Sequence, residues 1–252
     1  MSLEDKVCVV TGGTSGIGLA TVRLFAGDGA RQIVLANDER ECDALAQEAD
    51  GHGWPVTVVA GDVASPAAWD AVLAQVDRLG GVDVLVNNAG YGIRGTVLDT
   101  DPPAWEALFA TNVTGVFLGC RALLPRMVAQ RSGAVVNVAS VAGQIGMARR
   151  AAYCASKSAV LGLTRAMAVD HAAAGVRVNA VAPGTTDSPY FAKIEADVAD
   201  PAAYRAYLEG RQLLNRLAEP SEIATAIAFL AGDASSFATG SVVTVDGGMS
   251  VA

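Results

Sequence analysis

Short apolar segments alternate with longer amphipathic ones along the whole chain. Seven of these segments cover residues 6–11, 32–36, 55–60, 82–87, 133–139, 176–182 and 241–246. Their nearly continuous Val, Ile and Leu content is typical of strands that are covered on both faces. The alternation predicts an α/β fold with a doubly wound, seven-stranded parallel sheet and helices on both faces. The carboxyl ends of all strands then lie at one edge, where a ligand crevice forms.

Nothing in the 252 residues interrupts this pattern with a linker, a repeat or a shift in composition, so we expect a single domain, 1–252. The longest irregular region lies between the sixth strand and the last helix, at about 183–215. Because it contains Pro, aromatic and charged residues, we expect a lid at about 185–215 that covers the strand ends and recognises a substrate.

Charge and cysteine content narrow the classes of function. The chain has 18 Lys and Arg against 26 Asp and Glu, a net charge of −8, and no basic cluster for a phosphate backbone. No uninterrupted apolar run approaches the ~18 residues that cross a bilayer, so we expect a cytoplasmic protein. Four scattered cysteines and two distant histidines provide neither a zinc site nor a histidine-centred triad. We therefore expect no nucleic-acid, membrane or metal partner.

The first strand ends in TGGTSGIG, residues 11–18, which opens the next helix. Gly12, Gly16 and Gly18 allow a tight turn, approach of the backbone to a pyrophosphate, and close packing of helix on strand. The amides and the dipole of the helix would then face an anion. The turn therefore predicts a dinucleotide site, with a merely tight strand–helix turn as the alternative.

Three further motifs follow in chain order: NNAG (87–90), YCASK (153–157) and PG (183–184). Together with the glycine turn and VDGG (245–248), they resemble the short-chain dehydrogenase/reductase family over essentially the whole chain. The resemblance implies a Rossmann fold and an NAD(P)-dependent oxidoreductase. Such an enzyme transfers hydride between a nicotinamide and a secondary alcohol or ketone.

The resemblance also implies cofactor-binding residues at several strand ends. They are Gly12, Thr14, Ser15, Gly16, Ile17, Gly18, Asn37 or Asp38, Asp62, Val63, Asn88, Ala89, Gly90, Tyr153, Lys157, Pro183, Gly184, Thr186 and Ser188. For Asp62, capping of a turn explains the residue equally well.

The end of the second strand places a side chain on the adenosine ribose, and LANDER leaves Asn37 and Asp38 as candidates. A carboxylate there binds both ribose hydroxyls and repels a 2′-phosphate. Asp38, followed by Glu39 and with no basic residue in the glycine turn, thus favours NAD, with NADP as the alternative. Asp38 could instead only cap the following helix.

Tyr153 and Lys157 are four residues apart on a predicted helix, so their side chains share one face about 6 Å apart. A phenol with a pKa of ~10 is a poor base at neutral pH, and a nearby ammonium would stabilise its phenolate. A half-buried Tyr above a solvated Lys is the structural alternative. The resemblance implies that Tyr153 is the acid/base and that Lys157 lowers its pKa and holds the nicotinamide ribose. It also implies that Ser140 orients the substrate oxygen, while Asn112 distorts a helix and relays the proton through a water.

Residues between Ser140 and Tyr153 are expected to face the substrate, and the lid adds further cations. The polar candidates are Gln144, Arg149, Arg150, Lys193, Arg205 and Arg211. PGTTDSP and LEGRQLLNRLAEPSEIA resemble a subgroup that oxidises 3-hydroxybutyrate or 2-keto-3-deoxy sugar acids. In that subgroup, arginines that match Arg150 and Arg211 bind the substrate carboxylate, an ion that arginine holds with two parallel bonds. The alternative is that these arginines are surface or interface charges.

We therefore predict NAD-dependent oxidation of a small hydroxy acid or sugar acid, with Ser140, Gln144, Arg150 and Arg211 at the substrate. An NADPH-dependent 3-oxoacyl-thioester reductase is the main alternative, although no basic patch for an acyl carrier protein is evident. A nucleotide-sensing regulator is a further alternative, but such proteins usually lose the Tyr–Lys pair. The resemblance finally implies a homotetramer packed through helices at about 103–129 and 152–174 and through the last strand.

Overall fold

The described part of the protein, residues 3–189, 191, 194 and 198–252 of a computed structural model, contains one parallel sheet. Its strands are β1 Val7–Thr11, β2 Arg31–Ala36, β3 Val56–Ala60, β4 Val84–Asn87, β5 Gly133–Val138, β6 Val176–Pro183 and β7 Val242–Val245. They are arranged in the order β3-β2-β1-β4-β5-β6-β7. The seven predicted strands are confirmed. Because the order reverses between β1 and β4, a crevice opens at their carboxyl ends.

Helices cover both faces of the sheet. They are α1 Gly16–Gly27, α2 Glu39–His52, α3 Pro66–Leu79, α4 Pro102–Phe109, α5 Gly115–Gln130, α6 Ala151–His171, α7 Pro201–Glu209 and α8 Pro220–Ala231. One apolar core joins the sheet to α3, α5 and α6. A second core joins its other face to α1, α2 and α8. The doubly wound Rossmann fold predicted from the sequence is therefore confirmed.

A π-helical turn, Ala110–Thr114, joins α4 to α5 and contains the buried Asn112. The Asn112 side chain makes two hydrogen bonds with the backbone of Tyr91: its Nδ2 donates to the carbonyl at 2.9 Å, and its Oδ1 accepts from the amide at 3.0 Å. Such single-turn bulges inside helices are frequent at functional sites. The distortion expected at Asn112 is thus present, and it connects this helix to the chain that follows β4.

The segment Pro102–Gln130 is long enough to cross a membrane, and an 18-residue window within it has a mean hydropathy of 1.5. Polar and charged residues interrupt it, so a count of consecutive apolar residues does not reveal it. Leu123 and Met127 of α5 are fully buried against the sheet. This packing is typical of the core helix of a water-soluble protein, and we interpret the segment in that way.

The predicted lid region is more regular than its composition suggests, because it contains α7. Asp200 caps this helix, and its carboxylate accepts a hydrogen bond from the Ala203 amide at 3.0 Å. At the base of the region, Ala218 donates to the Thr185 carbonyl at 3.0 Å and accepts from the Asp187 amide at 2.8 Å. These bonds fix both ends of the region beside the carboxyl edge of the sheet.

Candidate active site

A cavity of about 500 Å³ lies at the carboxyl edge of the sheet. Cofactor and substrate sites in proteins have volumes of this order. The glycine turn, the ends of several strands, the first two turns of α6 and part of the predicted lid region line it. The motifs that were separated along the sequence therefore meet at one place.

The glycine turn needs the conformational freedom of glycine. Gly12 and Gly16 have φ values of +62° and +52°. A Cβ atom on Gly18 would lie 2.0 Å from the carbonyl oxygen of Gly12. Gly18 does not line the cavity, so the structure corrects its expected contact with a cofactor: this residue lets α1 pack against the turn. Thr14, Ser15, Gly16 and Ile17 line the cavity as expected.

Asn88 fixes the glycine turn to the end of β4. Its side-chain Nδ2 donates to the carbonyl oxygens of Thr11 and Gly12, each at 3.0 Å. The hydroxyl of Thr11 in turn accepts hydrogen bonds from the amides of Asn88 and Ala89, each at 3.0 Å. Two adjacent strand ends are thereby held together, and Asn88, Ala89 and Gly90 line the cavity beside the turn.

The acidic residue at the end of β2 differs from the expected one. Asn37 lines the cavity, whereas Asp38 does not and caps α2, its carboxylate accepting from the Glu41 amide at 3.0 Å. The expectation that Asp38 contacts the ribose is corrected in favour of its alternative as a cap. Glu41, which the sequence did not single out, lines the cavity, and its carboxylate accepts from the Thr14 hydroxyl at 2.8 Å. Glu41 lies three residues after Asp38, the cap of α2, and this spacing is the sequence signal that could have indicated its place in the cavity.

The end of β3 contributes Asp62 and Val63, both of which line the cavity. The carboxylate of Asp62 also accepts from the Ala64 amide at 2.8 Å, so the residue caps the turn as its alternative proposed. The carbonyl of Val63 accepts from the Trp69 indole at 2.8 Å, which holds this turn against α3. Both residues are thus fixed in place beside the glycine turn.

Ser140, Tyr153 and Lys157 line the middle of the cavity. Ser140 follows β5, and its Oγ accepts a hydrogen bond from the Ala142 amide at 3.1 Å. On α6, the Lys157 Nζ lies 5.9 Å from the centroid of the Tyr153 ring, in agreement with the helical spacing of the two residues. A hydroxyl, a phenol and an ammonium group are therefore available to one bound molecule.

Lys157 is 5% exposed, and its Nζ donates to the Val138 carbonyl at 2.9 Å. Burial disfavours the charged ammonium and lowers the pKa of Lys157 to about 8. A Cβ on Gly90 would lie 3.4 Å from this Nζ and 3.1 Å from Oδ1 of Asn112. Gly90 therefore leaves room for Lys157 and Asn112 to approach each other.

The buried ammonium makes the stability of the cofactor-free protein depend on pH. The pKa of Lys157 is about 8 in the folded protein and 10.5 ordinarily, so between these values the unfolded chain holds the extra proton. Burying the ammonium therefore lowers the free energy of unfolding by its full amount below pH 8, and this loss shrinks as pH rises toward 10.5. We expect Lys157→Met to stabilise the protein at neutral pH, by up to about 3 kcal/mol, and to lose this advantage at higher pH. Urea unfolding of the wild type and of Lys157→Met, at neutral and at alkaline pH, measures the difference in their free energies of unfolding. A difference that stays constant with pH would contradict a cost from burying the ammonium.

The carboxyl end of β6 provides another wall. Pro183, Gly184, Thr185, Thr186 and Ser188 line the cavity there. A Cβ on Gly184 would lie 2.7 Å from Cα of Asp246, so glycine permits close contact with the VDGG turn. Asp246 accepts from the amides of Gly248 and Ser250, at 3.0 and 2.7 Å, and this turn brings Met249 into the cavity lining.

Two arginines lie at the far end of the cavity. Arg150 immediately precedes α6, and its guanidinium donates to the Ile93 carbonyl at 3.4 Å. Arg211 comes from the predicted lid region, and its NH2 lies 3.8 Å from the sulfurs of Met147 and Met249. Burial lowers the pKa of Arg211, and the positive charge of Arg150 lowers it further. Within the described residues Arg211 has no carboxylate partner, so this end of the cavity favours an anion.

The other polar candidates point elsewhere. Gln144 does not line the cavity; a short 3₁₀ turn, Val141–Gly143, carries it to the surface, where its amide donates to the Thr244 hydroxyl at 3.2 Å. Its expected role at the substrate is corrected. Arg149 pairs with Asp99 at 3.6 Å. Arg205 pairs with Asp187 at 2.6 Å and with Glu209 at 3.2 Å. Lys193 lies outside the described residues.

The cavity also contains side chains that the motifs did not indicate. Besides Glu41, these are Tyr91, Met147, Pro189, Phe191 and Met249. Most of them are apolar, and an apolar residue in a loop carries no distinctive sequence signal. Met147 and Met249 contact Arg211, so the arginine end combines two cations with an apolar wall.

The cavity fits an extended dinucleotide. Side chains in place of most of the glycines of the turn would collide with neighbouring atoms. The turn therefore stays narrow enough for a pyrophosphate to approach the start of α1. A dinucleotide bound there would have its adenosine beside Asn37, Glu41, Asp62 and Val63, near the ends of β2 and β3, and its nicotinamide beside Tyr153, Lys157 and the carboxyl end of β6.

Comparison with known proteins agrees with the geometry. The model of the short chain dehydrogenase family matches residues 6–199. A cis-4-hydroxycyclohexanecarboxylate dehydrogenase of Sinomonas cyclohexanicum is 43% identical, over 98% of this chain and 97% of the relative. A 2-keto-3-deoxy-L-fuconate dehydrogenase of Xanthomonas campestris is 39% identical, over 98% of this chain and 81% of the relative. The resemblance to sugar-acid dehydrogenases is thereby confirmed.

A solved structure from Agrobacterium tumefaciens, assigned as a gluconate dehydrogenase, has a TM-score of 0.92 and 30% identity, over 100% of this chain and 98% of that chain. A 3-oxoacyl-[acyl-carrier-protein] reductase of Thermotoga maritima is 38% identical, over 99% of both chains. The shared family, fold and site together identify the activity class. The chain belongs to the short-chain dehydrogenase/reductase family and is an oxidoreductase that acts on CH–OH groups with a nicotinamide cofactor.

Proposed function

We propose that this enzyme oxidises the hydroxyl group of a small carboxylic acid and uses NAD. One observation carries the proposal: Arg150 and Arg211 line the same cavity as Ser140 and Tyr153. The Arg211 guanidinium, which has no carboxylate partner among the described residues, favours a bound carboxylate in this partly apolar cavity. Relatives that are named for a hydroxycyclohexanecarboxylate and for a keto-deoxy sugar acid support the same substrate class.

The reaction follows from the residues in the cavity. A nicotinamide held in this cavity would supply the hydride acceptor for the carbinol carbon. Tyr153 takes the proton of the substrate hydroxyl through its phenolic oxygen. The Ser140 hydroxyl accepts from the Ala142 amide, so its own proton remains available for the substrate oxygen, whose developing charge it stabilises.

Lys157 and Asn112 support this proton transfer. The Lys157 ammonium, beside the Tyr153 ring, favours the phenolate, and the same group would hold the ribose of a bound nicotinamide cofactor. The side chain of Asn112 donates to the Ser156 hydroxyl at 3.1 Å on the first turns of α6. Asn112 thus keeps α4 and α5 close to Lys157, where a water can pass the proton onward.

The two arginines select the acid and orient it. Arg150 precedes Tyr153 by three residues, so the two side chains start about 5–6 Å apart. A carboxylate that is held by Arg150 and Arg211 therefore places a carbinol carbon a few bonds away next to Tyr153 and Ser140. Fixing the substrate at two points in this way contributes to the rate through orientation.

The adenosine side of the cavity supports NAD. Among the described lining residues on that side there is no Lys or Arg, while the Glu41 carboxylate lies against the glycine turn. Such a carboxylate repels the 2′-phosphate of NADP. In this proposal Glu41 has the selective role that was expected of Asp38, and Asn37 adds an amide beside the ribose.

Glu41 provides a prediction about this preference. We expect wild-type kcat/KM to be at least ~10-fold higher with NAD than with NADP, and Glu41→Gln to reduce that ratio several-fold by removing the repulsion. Initial-rate kinetics with both cofactors at a saturating alcohol concentration measures the ratio. Glu39→Gln is the matched control because Glu39 is in the same first turn of α2 but is exposed and does not line the cavity. An equal effect of the two variants, or a wild-type preference for NADP, would refute the role of Glu41.

We also propose that the enzyme is a cytoplasmic homotetramer. An apolar groove between α5 and α6 supports assembly, lined by Val113, Thr114, Phe117, Ala159, Gly162, Leu163 and Ala166. Its small residues permit close approach of a second copy, and Phe117 is 45% exposed. The four cysteines are free thiols, as is usual in a reducing compartment.

A substrate screen tests the proposed function. Hydroxy acids, sugar acids, neutral secondary alcohols and 3-oxoacyl thioesters are each assayed with NAD(H) and NADP(H). We expect the highest kcat/KM for an acid with NAD, with cis-4-hydroxycyclohexanecarboxylate, 3-hydroxybutyrate and gluconate as the first compounds. Preferred reduction of a thioester with NADPH would replace this function by that of an acyl-carrier-protein reductase.

A further inference from the structure

Residues 91–95, which we name the strap, connect Asn112 to the start of α6 and to the end of the cavity where the two arginines lie. At one end, the strap backbone makes the two hydrogen bonds with the Asn112 side chain. At the other end, Gly95 forms a parallel bridge with Arg150: its amide donates to the Arg149 carbonyl at 2.9 Å, and its carbonyl accepts from the Ala151 amide at 3.3 Å. The strap is therefore fixed at both ends.

The strap holds one of the two cavity arginines directly. The carbonyl of Ile93 accepts a hydrogen bond from the Arg150 guanidinium at 3.4 Å. Because the backbone bridge at Gly95 fixes the start of α6 as well, both the main chain and the side chain of Arg150 follow the position of the strap.

The strap also reaches the helix that precedes the second arginine. Arg94 donates a hydrogen bond to the phenolic oxygen of Tyr204 on α7, and its guanidinium carbon lies 5.1 Å from the centroid of that ring. These two residues are 110 positions apart in the chain. A charged hydrogen bond and a cation–π contact thus join the strap to α7.

From Tyr204 the contacts continue to Arg211. The rings of Tyr204 and Tyr207 stack with centroids 6.4 Å apart. The guanidinium carbon of Arg211 lies 5.9 Å from the centroid of the Tyr207 ring. We name the four side chains Arg94, Tyr204, Tyr207 and Arg211 the column. The strap and the column together connect Arg150 to Arg211 around the end of the cavity.

We propose that Arg94 and Tyr204 are positioning residues that set the spacing of Arg150 and Arg211 and so determine which carboxylates fit. This inference rests on the proposed function, in which these arginines bind the substrate carboxylate. Two guanidinium groups that share a cavity repel each other, so their spacing in the free enzyme needs a mechanical constraint. The column supplies this constraint through aromatic side chains, which have few rotatable bonds.

The test measures the KM for an acid separately from the catalytic step. We expect Arg94→Ala to raise the KM for the best acid of the screen about tenfold, with kcat and the KM for NAD nearly unchanged. Tyr204→Phe removes only the hydrogen-bond acceptor and keeps the stacked ring, so we expect a smaller increase in the same KM. The kcat/KM for a neutral secondary alcohol is expected to stay constant in both variants. Arg78→Ala, which removes an exposed arginine of α3, is the matched control.

A double variant separates positioning from a general structural effect. If Arg94 sets the spacing of Arg150 and Arg211, Arg94→Ala adds little to the loss caused by Arg211→Gln, because the pair that it spaces is already broken. Additive losses, an unchanged KM for the acid in Arg94→Ala, or an equal decline with the neutral alcohol would each overturn the inference. If Arg94→Ala unfolds at a lower temperature, Tyr204→Phe provides the same comparison in a better-folded background.

The outcome also distinguishes this inference from the proposed function. If the wild-type enzyme does not prefer acids, and Arg211→Gln does not change acid turnover, the proposed function fails. If the wild type prefers acids and Arg211→Gln abolishes the preference while Arg94→Ala does not affect it, only the inference about the column fails.

Discussion

Replacing Tyr153 with phenylalanine is expected to lower kcat more than ~10²-fold while leaving the affinity for the cofactor intact. The substitution keeps the ring beside Lys157 and removes only the oxygen that takes the substrate proton in the proposed reaction. Without this oxygen, the hydroxyl must lose its proton to water in a partly buried cavity, where the charge of the alkoxide is poorly stabilised. Steady-state kinetics gives kcat, and titration of the cofactor by fluorescence gives its affinity.

A second phenol in the same cavity is the control for this experiment. Tyr91 lines the cavity and is 38% exposed. We expect Tyr91→Phe to keep kcat within about threefold of the wild type, because the phenol of Tyr91 is not the one beside the lysine. Turnover near the wild-type value in Tyr153→Phe, or a larger loss in Tyr91→Phe, would show that Tyr153 is not the acid/base.

Replacing Arg211 with glutamine is expected to lower kcat/KM for an acid about 10²-fold and to leave a neutral alcohol nearly unaffected. Glutamine is shorter and uncharged, so it loses both the parallel hydrogen bonds and the attraction to the carboxylate. We expect a loss of similar size in Arg150→Gln, because both guanidinium groups line the same end of the cavity. Initial rates with an acid and with a neutral alcohol, for each variant, measure the change in selectivity.

The neighbouring arginine supplies the control. Arg149 is adjacent to Arg150 in the sequence but pairs with Asp99 and does not line the cavity. Arg149→Gln is expected to retain kcat/KM for the acid within about twofold. An equal fall for acid and neutral alcohol in Arg211→Gln would mean that Arg211 supports the fold of the region and does not select the acid.

Much of the fold was predictable because its signals are local. Strands that are buried on both faces need continuous apolar residues, and β1, β5 and β6 show them in the sequence. The glycine turn and the four-residue spacing of Tyr153 and Lys157 were equally readable, since each is fixed by backbone geometry.

The errors came from side-chain direction, which a sequence pattern does not determine. Asp38 and Glu41 are both acidic and three residues apart, and the exact start of α2 decides which one faces the cavity. Gln144 follows a 3₁₀ turn that rotates it outward. Met249 reaches the cavity only because the Asp246 turn folds the C-terminal residues back.

The predicted lid region illustrates a signal that was present but outweighed. Its charges, prolines and aromatic residues favoured an irregular segment, yet Asp200, Pro201 and Gly210 are a cap, a first-turn proline and a terminal glycine for α7. The contact of Arg94 with Tyr204 was outside the reach of any local pattern, because it joins residues that are distant in the sequence.

The most direct test of the central claim compares one acid with its neutral counterpart. With NAD, kcat/KM of the wild-type enzyme is measured for cis-4-hydroxycyclohexanecarboxylate and for the corresponding primary amide, which has the same ring and the same hydroxyl. If two arginines bind a carboxylate beside Tyr153, the acid is preferred by about 10²-fold or more. Equal values, or a preference for the amide, would contradict the assignment of this enzyme as a hydroxy acid dehydrogenase.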